Sequence, residues 1–248
     1  MTRISFLNCP IDNLSLLETV EIIRHGIREG RFIRHVVVNV AKIVNLQRDE
    51  ALRAAVINSD IINVDGMGVV WGARFLGHHL RERVAGIDLF YALLNMSADE
   101  GFPVFFLGAE EHVVKMTAIR IQELHPTLRI AGYHNGFFGD GEEIIVDMIR
   151  SSGASLLFVA ITSPYKEKFV DRWGSKLGVR FVMGVGGTFD VVAGKVRRAP
   201  IWMQNSGLEW LYRVLQEPKR LFARYLSTNL KFLWILLRMK LKSVFIKE

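Results

Sequence analysis

The residues of this chain best suited to chemistry fall in three short clusters, two of them at the end of an apolar run and one ahead of a helix. In Asn63-Val64-Asp65-Gly66-Met67-Gly68 a carboxylate stands beside two glycines, and Gly66 lets the backbone approach a ligand closely. Asp65 can present its carboxylate to that ligand, or it can cap the next helix while the glycines make the turn. Leu80-Arg81-Glu82-Arg83-Val84-Ala85-Gly86 holds two arginines able to clamp a diphosphate, or alternating charges that stay solvated on a loop. Gly184-Val185-Gly186-Gly187-Thr188-Phe189-Asp190 can turn backbone N–H groups toward a phosphate, or pack a helix closely on a strand. Leu107-Gly108 is a weaker instance of the same pattern.

Several other chemistries lack their residues. The glycines fit neither G-x-G-x-x-G nor a Walker loop, because Lys195 is followed by Val196. No histidine belongs to an H-E-x-x-H or similar ligand set, and no D-x-D triad stands ready to hold Mg²⁺ against a diphosphate. No metal and no cofactor are therefore expected, and arginines and helix N-termini must supply any positive field. The single cysteine, Cys9, excludes an internal disulfide and points to a reducing compartment.

The elements that must position these clusters follow from period. Short apolar runs predict strands over 4–7, 35–38, 61–64, 104–107, 128–133, 156–161 and 180–185. Helical spacing with capping residues predicts helices over 16–28, 40–57, 110–124 and 142–151. The alternation implies an α/β fold of Rossmann-like type: a mainly parallel sheet with helices on both faces, binding ligands outside the carboxyl ends of its strands. The first and third clusters lie at such ends, and the arginine cluster lies in a loop before a helix. After Pro200 no strand is expected, and 208–245 reads as helix interrupted at Pro218, so the chain divides into a core, 1–200, and a helical appendage, 201–248.

The charge is unevenly placed. The net +7 arises because the segment from Lys195 onward holds twelve Lys and Arg against three acids, while the preceding 194 residues are slightly acidic. An anionic partner for the appendage is implied, either nucleic acid or an acidic membrane surface. Leu221, Phe222, Tyr225, Leu226, Leu230, Phe232, Leu233, Trp234 and Leu237 interleave with the bases, which favours an interfacial helix over one that only packs on the core. The longest uncharged apolar run there, 232–237, is far short of the about 20 residues a span needs, and the N-terminus has no signal-peptide pattern. A cytoplasmic protein, peripheral on the inner face of the plasma membrane, is expected.

In this order the pieces resemble the WecG/TagA/CpsF glycosyltransferase family. The carrying residues are Asn39, Asp65-Gly66 with Gly68, Glu82-Arg83-Val84 with Gly86, Phe106-Leu107-Gly108, Pro164 with Glu167, Gly184 to Asp190 with Gly194, and Arg197-Arg198-Ala199-Pro200. They continue through Gly207-Leu208-Glu209-Trp210, Arg213, Glu217-Pro218, Arg220 and Arg224-Tyr225. The resemblance implies an inverting, metal-independent transfer from a UDP-sugar to a polyprenyl-diphosphate-linked saccharide in bacterial cell-surface polysaccharide synthesis. Asp65 would be the base, with Asn39 and Arg83 beside it, and Gly66, Gly108, Lys166, Glu167, Gly186, Gly187 and Asp190 would hold the nucleotide sugar. Arg213, Arg220 and Arg224 would meet the lipid diphosphate, since guanidinium forks suit phosphate oxygens. Two positions depart from the family pattern: Val37-Val38 where a Thr usually precedes the Asn, and Lys166 where Pro-x-Gln-Glu has a neutral amide. The added cation can meet a carboxylate or a diphosphate and sets the donor apart from N-acetylmannosamine types. A homo-oligomer is left open. The alternatives are a nucleotide-cofactor enzyme, which lacks the dinucleotide fingerprint, and a nucleic-acid-binding protein using the basic tail, which lacks a recognition motif. No nucleic-acid partner is expected.

Overall fold

The computed structural model describes residues 2–245. Its first two strands, β1 (Arg3–Phe6) and β2 (Cys9–Asp12), form an antiparallel hairpin apart from the main sheet. The turn is made by Leu7 and Asn8, both at positive φ, as a two-residue hairpin demands. The strand expected over 4–7 is thus real but pairs with a partner that Pro10 concealed, since proline reads as a strand breaker except on an edge.

The main sheet has six parallel strands in the order β4-β3-β8-β7-β5-β6. These are β3 (Ile33–Val38), β4 (Ile61–Val64), β5 (Val104–Gly108), β6 (Ile130–His134), β7 (Leu156–Ala160) and β8 (Phe181–Gly184). β5 and β7 are buried at every residue, which is why they read as continuous apolar runs and not as alternating ones. Alternate side chains serve opposite faces. Phe106, Phe158 and Phe181 pack on Phe90 of α5 (Gly86–Glu100) and Phe189 of α9 (Thr188–Val192). On the other face Phe105, Leu157, Val159 and Val182 meet Ile145 and Ile149 of α7 (Glu142–Ser151) and Phe169 of α8 (Tyr165–Trp173).

The helix expected over 40–57 is two helices, α2 (Val40–Asn45) and α3 (Glu50–Ile57). Asp49 interrupts it, because its carboxylate accepts the Leu52 N–H at 2.9 Å and so starts a new helix. Past Pro200 the described residues hold α10 (Ile201–Asn205), α11 (Glu209–Gln216) and α12 (Pro218–Phe245). The break expected at Pro218 is present, with the proline opening α12, where its missing N–H costs nothing.

α12 has two apolar stripes with different fates. Phe232 and Leu236, one turn apart, join a core cluster with Phe6, Val36, Val38, Ile62 and Val64. They reach it over α4 (Met67–Phe75), where Gly72 leaves room: a Cβ there would fall 2.8 Å from the Phe232 ring. The next residues round the helix point outward, so Phe232 is 5% exposed while Trp234 is 61% exposed. Among the described residues no helix is long and apolar enough to cross a membrane.

Candidate active site

Parallel pairing of β3 with β4 ends both strands level, and the chain leaves them at Asn39 and Asp65. The Asp65 N–H donates to the Val38 carbonyl at 2.8 Å, and the Val84 N–H donates to the Val64 carbonyl at 2.9 Å. The second bond lays the arginine loop alongside the carboxylate. Gly66 follows at φ 116°, a conformation that other residues rarely adopt, and turns the chain into α4.

Asp65 is partly buried at the start of α5, where its Oδ2 accepts the Gly86 N–H at 3.3 Å. The positive end of that helix dipole therefore faces the carboxylate. Burial pushes the Asp65 carboxyl above the ordinary carboxylate range; Arg83 opposes this, Glu209 reinforces it, and the Gly86 N–H and Arg213 also oppose it. Glu209 and Arg213 belong to α11, so the appendage reaches the strand-end site. Arg83 makes the bridge, donating through Nη1 to Glu209 Oε2 at 3.1 Å with both side chains largely buried.

A second charged group lies at the ends of β3, β7 and β8. Lys42 Nζ stands 2.8 Å from Glu167 Oε1 and donates to the Val37 carbonyl at 2.7 Å. Lys166 Nζ is 3.7 Å from the same Glu167 oxygen. The Lys166 stem crosses Gly184, where a Cβ would fall 2.7 Å from Lys166 Cε, and its ammonium ends beside Gly186. Burial would raise the Glu167 carboxyl, but Lys42 and Lys166 reverse this and hold it at about 2. Lys166 is brought down to about 8, chiefly by burial and then by repulsion from Lys42, with Glu167 offsetting part and Arg224 of α12 adding to the repulsion. The cation that departs from the family pattern thus meets a carboxylate of this chain.

The remaining expected residues are placed as follows. Asn39 is exposed and caps α2, its Oδ1 accepting the Lys42 N–H at 3.0 Å. Gly108 sits at φ 124° and a Cβ there would fall 2.5 Å from the Ala160 backbone, so strand packing alone requires the glycine. Gly186 and Gly187 form the turn between β8 and α9. Asp190 lies 3.7 Å from Lys195, which is 3.0 Å from Glu110, an exposed network with no recorded link to Asp65. Arg213 acts on Asp65 and Arg224 on Lys166, while the side chain of Arg220 lies outside the described residues.

Lys42 and Glu209 were not assigned roles from the sequence. Lys42 is the one base within Val40-Ala41-Lys42-Ile43-Val44, and a lone lysine in an apolar run is the mark of a buried ion pair. Among the described residues no group of three His, Cys, Asp or Glu gathers into a set able to hold a metal ion.

A parallel α/β sheet with a partly buried carboxylate and converging arginines at its strand ends places these charges where enzymes of this fold class bind their ligands. Comparison with known proteins makes that specific. Residues 4–244 match the Glycosyl transferase WecG/TagA/CpsF family, and the chain belongs to that family. It is 38% identical over 174 residues to an N-acetylglucosaminyldiphosphoundecaprenol N-acetyl-beta-D-mannosaminyltransferase of Bacillus spizizenii, covering 70% of this chain and 67% of that protein. It is 35% identical over 188 residues to the protein of the same name in Bacillus subtilis, covering 76% and 73%. The chain is accordingly a glycosyltransferase.

The buried triad yields a test. Glu167→Gln would strip the counter-charge from two buried ammoniums, and urea unfolding at neutral pH should show a loss of about 3–5 kcal/mol. Because the native carboxyl is held at about 2, well below its ordinary value, the wild-type contribution is complete above the ordinary carboxylate range. It should fade as pH falls toward about 2. A variant as stable as the wild type would remove Glu167 as the clasp between α2 and α8.

Proposed function

We propose that the protein transfers a sugar, with inversion and without a metal, from a UDP-sugar to a polyprenyl-diphosphate-linked saccharide. The transfer would occur at the cytoplasmic face of the plasma membrane, in bacterial cell-surface polysaccharide synthesis. The observation that carries this reading is the Asp65 carboxylate, held above its ordinary pKa at the strand ends with Arg83 and Arg213 acting on it. The relatives' names support the lipid-linked acceptor, since both act on an undecaprenol-diphosphate-linked N-acetylglucosamine.

In the proposed step the acceptor hydroxyl attacks C1 of the donor sugar as its proton passes to Asp65. The new C–O bond forms on the face opposite the breaking bond to phosphate, and UDP leaves with that bond's electron pair. A raised carboxyl suits this task because a stronger base takes a hydroxyl proton more readily, provided it is ionised at the working pH. Arg83 and the appendage residues Arg213, Arg220 and Arg224 are assigned to the two diphosphates. Their charge is fixed, and opposite developing negative charge they need little reorganisation. Lys166, Glu167, Gly66, Gly186 and Gly187 line the strand-end row assigned to the nucleotide sugar. Asn39 caps the helix that carries Lys42.

The outward stripe of α12 is assigned to the membrane. Leu226, Leu230, Leu233, Trp234, Leu237 and Leu241 are exposed along it, and Phe75 of α4, also exposed, lies beside Lys240. Lys240 donates to the Phe75 carbonyl at 3.2 Å and Arg238 lies 5.3 Å from the Trp234 ring, so bases border the apolar surface. Aromatic and aliphatic side chains flanked by bases are what an anionic lipid surface accepts.

Asp65→Asn should lower the transfer rate by about 10² to 10⁴ while UDP still binds, measured as UDP release with a lipid-diphosphate acceptor. Turnover at the wild-type rate would remove Asp65 from the reaction. Full-length protein should sediment with anionic liposomes. The double variant Trp234→Ala, Leu237→Ala should sediment much less, and salt should weaken the attachment without abolishing it, because inserted apolar groups are not screened. Equal sedimentation of both proteins would detach α12 from the membrane assignment.

A further inference from the structure

Arg198 lies between the sheet core and α10, and the two sides of its guanidinium are used unequally. Nη1 holds Asp88 Oδ1, in the first turn of α5, at 2.7 Å. Nε and Nη2 are buried and have no hydrogen-bond partner. This protein shows elsewhere what that pair of atoms does. Arg3 uses Nε and Nη2 to hold both oxygens of Asp12 at 2.7 and 2.9 Å, and Arg28 holds both oxygens of Glu100 at 2.8 and 2.7 Å. Among the described residues Arg198 is the one arginine with both atoms of this edge buried and unpartnered.

An unpaired buried donor on a charged group is costly, so a fold that keeps one needs a reason outside its own contacts. Position supplies it. Asp88 is two residues beyond Gly86, whose N–H meets Asp65. Glu209 and Asp65 both lie close enough to favour the charge of Arg198 against its burial, as Asp88 does. Arg198 therefore belongs to the strand-end cluster that contains Asp65, Arg83, Glu209 and Arg213. It is held there by Asp88, with its two-pronged edge buried and unpaired.

We propose that the Nε and Nη2 edge of Arg198 is an oxyanion-binding element of this site that takes two oxygens of a substrate diphosphate. The assignment rests on the proposed transferase reading, which supplies two such diphosphates, one on the donor and one on the lipid acceptor. Guanidinium edges bind phosphate with two parallel, charge-assisted hydrogen bonds, a geometry that an ammonium cannot reproduce. Asp88 is then a positioning residue. It fixes the guanidinium plane and occupies the remaining nitrogen, so that a ligand entering the cluster finds the Nε and Nη2 edge still unpaired.

The experiment is calorimetric titration of wild type, Arg198→Gln and Arg198→Lys with UDP and, separately, with farnesyl diphosphate as a short prenyl diphosphate. Thermal unfolding of each variant serves as the folding control. Loss of two charge-assisted hydrogen bonds should weaken binding of at least one ligand by about 10- to 100-fold in Arg198→Gln. If that variant does not fold, Arg198→Lys keeps a cation opposite Asp88, and a weakening of more than about tenfold still reports the missing edge. Loss confined to UDP places the edge on the donor, loss confined to farnesyl diphosphate places it on the acceptor, and either supports the assignment. Folded variants that bind both ligands within about twofold of wild type would overturn it and leave Arg198 as the partner of Asp88 alone. A wild-type protein that bound neither ligand would overturn the proposed diphosphate substrates, and this assignment with them.

Discussion

A carboxylate withdrawn from water ionises only if positive charge surrounds it, and that constraint organises the strand-end region of this protein. Asp65 is pushed toward its neutral form by burial and drawn back by Arg83, Arg213 and the N–H of Gly86. Each of these comes from a different element: the loop hydrogen-bonded to the end of β4, helix α11, and the first residue of α5. The level ends of β3 and β4 bring them to one place. Without the parallel register the loop after Leu80 would have no reason to lie beside Asp65.

The same constraint explains why residues beyond 200 matter to a site in the first hundred. Among the described residues Glu209 is the carboxylate that Arg83, a largely buried guanidinium, meets at ion-pair distance. The pair fixes α11, and with it Arg213, against the core. α12 is fixed separately, by Phe232 and Leu236 fitting over Gly72. A helix held this way has its other stripe free, and in the proposed function that stripe meets lipid. The site would then be completed by the segment that touches the membrane, which gives a physical reason for a lipid-linked acceptor to be met there.

Much of this was legible in the chain itself. Continuous apolar runs marked β5 and β7 as parallel strands, Asp65 and Gly66 stood at a strand end as read, and Arg83 stood in a loop before a helix as read. What was hidden depended on long-range pairing. Pro10 masked β2, whose strand character exists only beside β1. Gly108 resembled a ligand-approach glycine from its place at a strand end before a helix, and no local sign pointed to the Ala160 backbone of β7 that leaves no room there for a Cβ. Asp190 looked like part of the glycine cluster, yet its recorded contacts lead to Lys195 and Glu110. Lys42 and Glu209 gave no local sign of their partners, since Glu167 and Arg83 are more than a hundred residues away in each case. Only the fold could reveal which charge each one answers.

The central claim is that this fold holds Asp65 as a desolvated carboxylate at a cost to its own stability, and the unfolding free energy of wild type and Asp65→Asn measured across pH tests it most directly. A carboxyl whose native pKa is raised makes the native state bind protons more tightly than the unfolded state. Wild-type stability therefore falls as pH rises through the interval between the ordinary value and the native one. Asparagine has no such titration and can still accept the Gly86 N–H. The account predicts that Asp65→Asn is the more stable protein at neutral pH and that its advantage shrinks as pH drops into the carboxylate range. A variant less stable than wild type at neutral pH, recovering as pH falls, would show a carboxylate held below its ordinary value by its arginines, and would contradict the account.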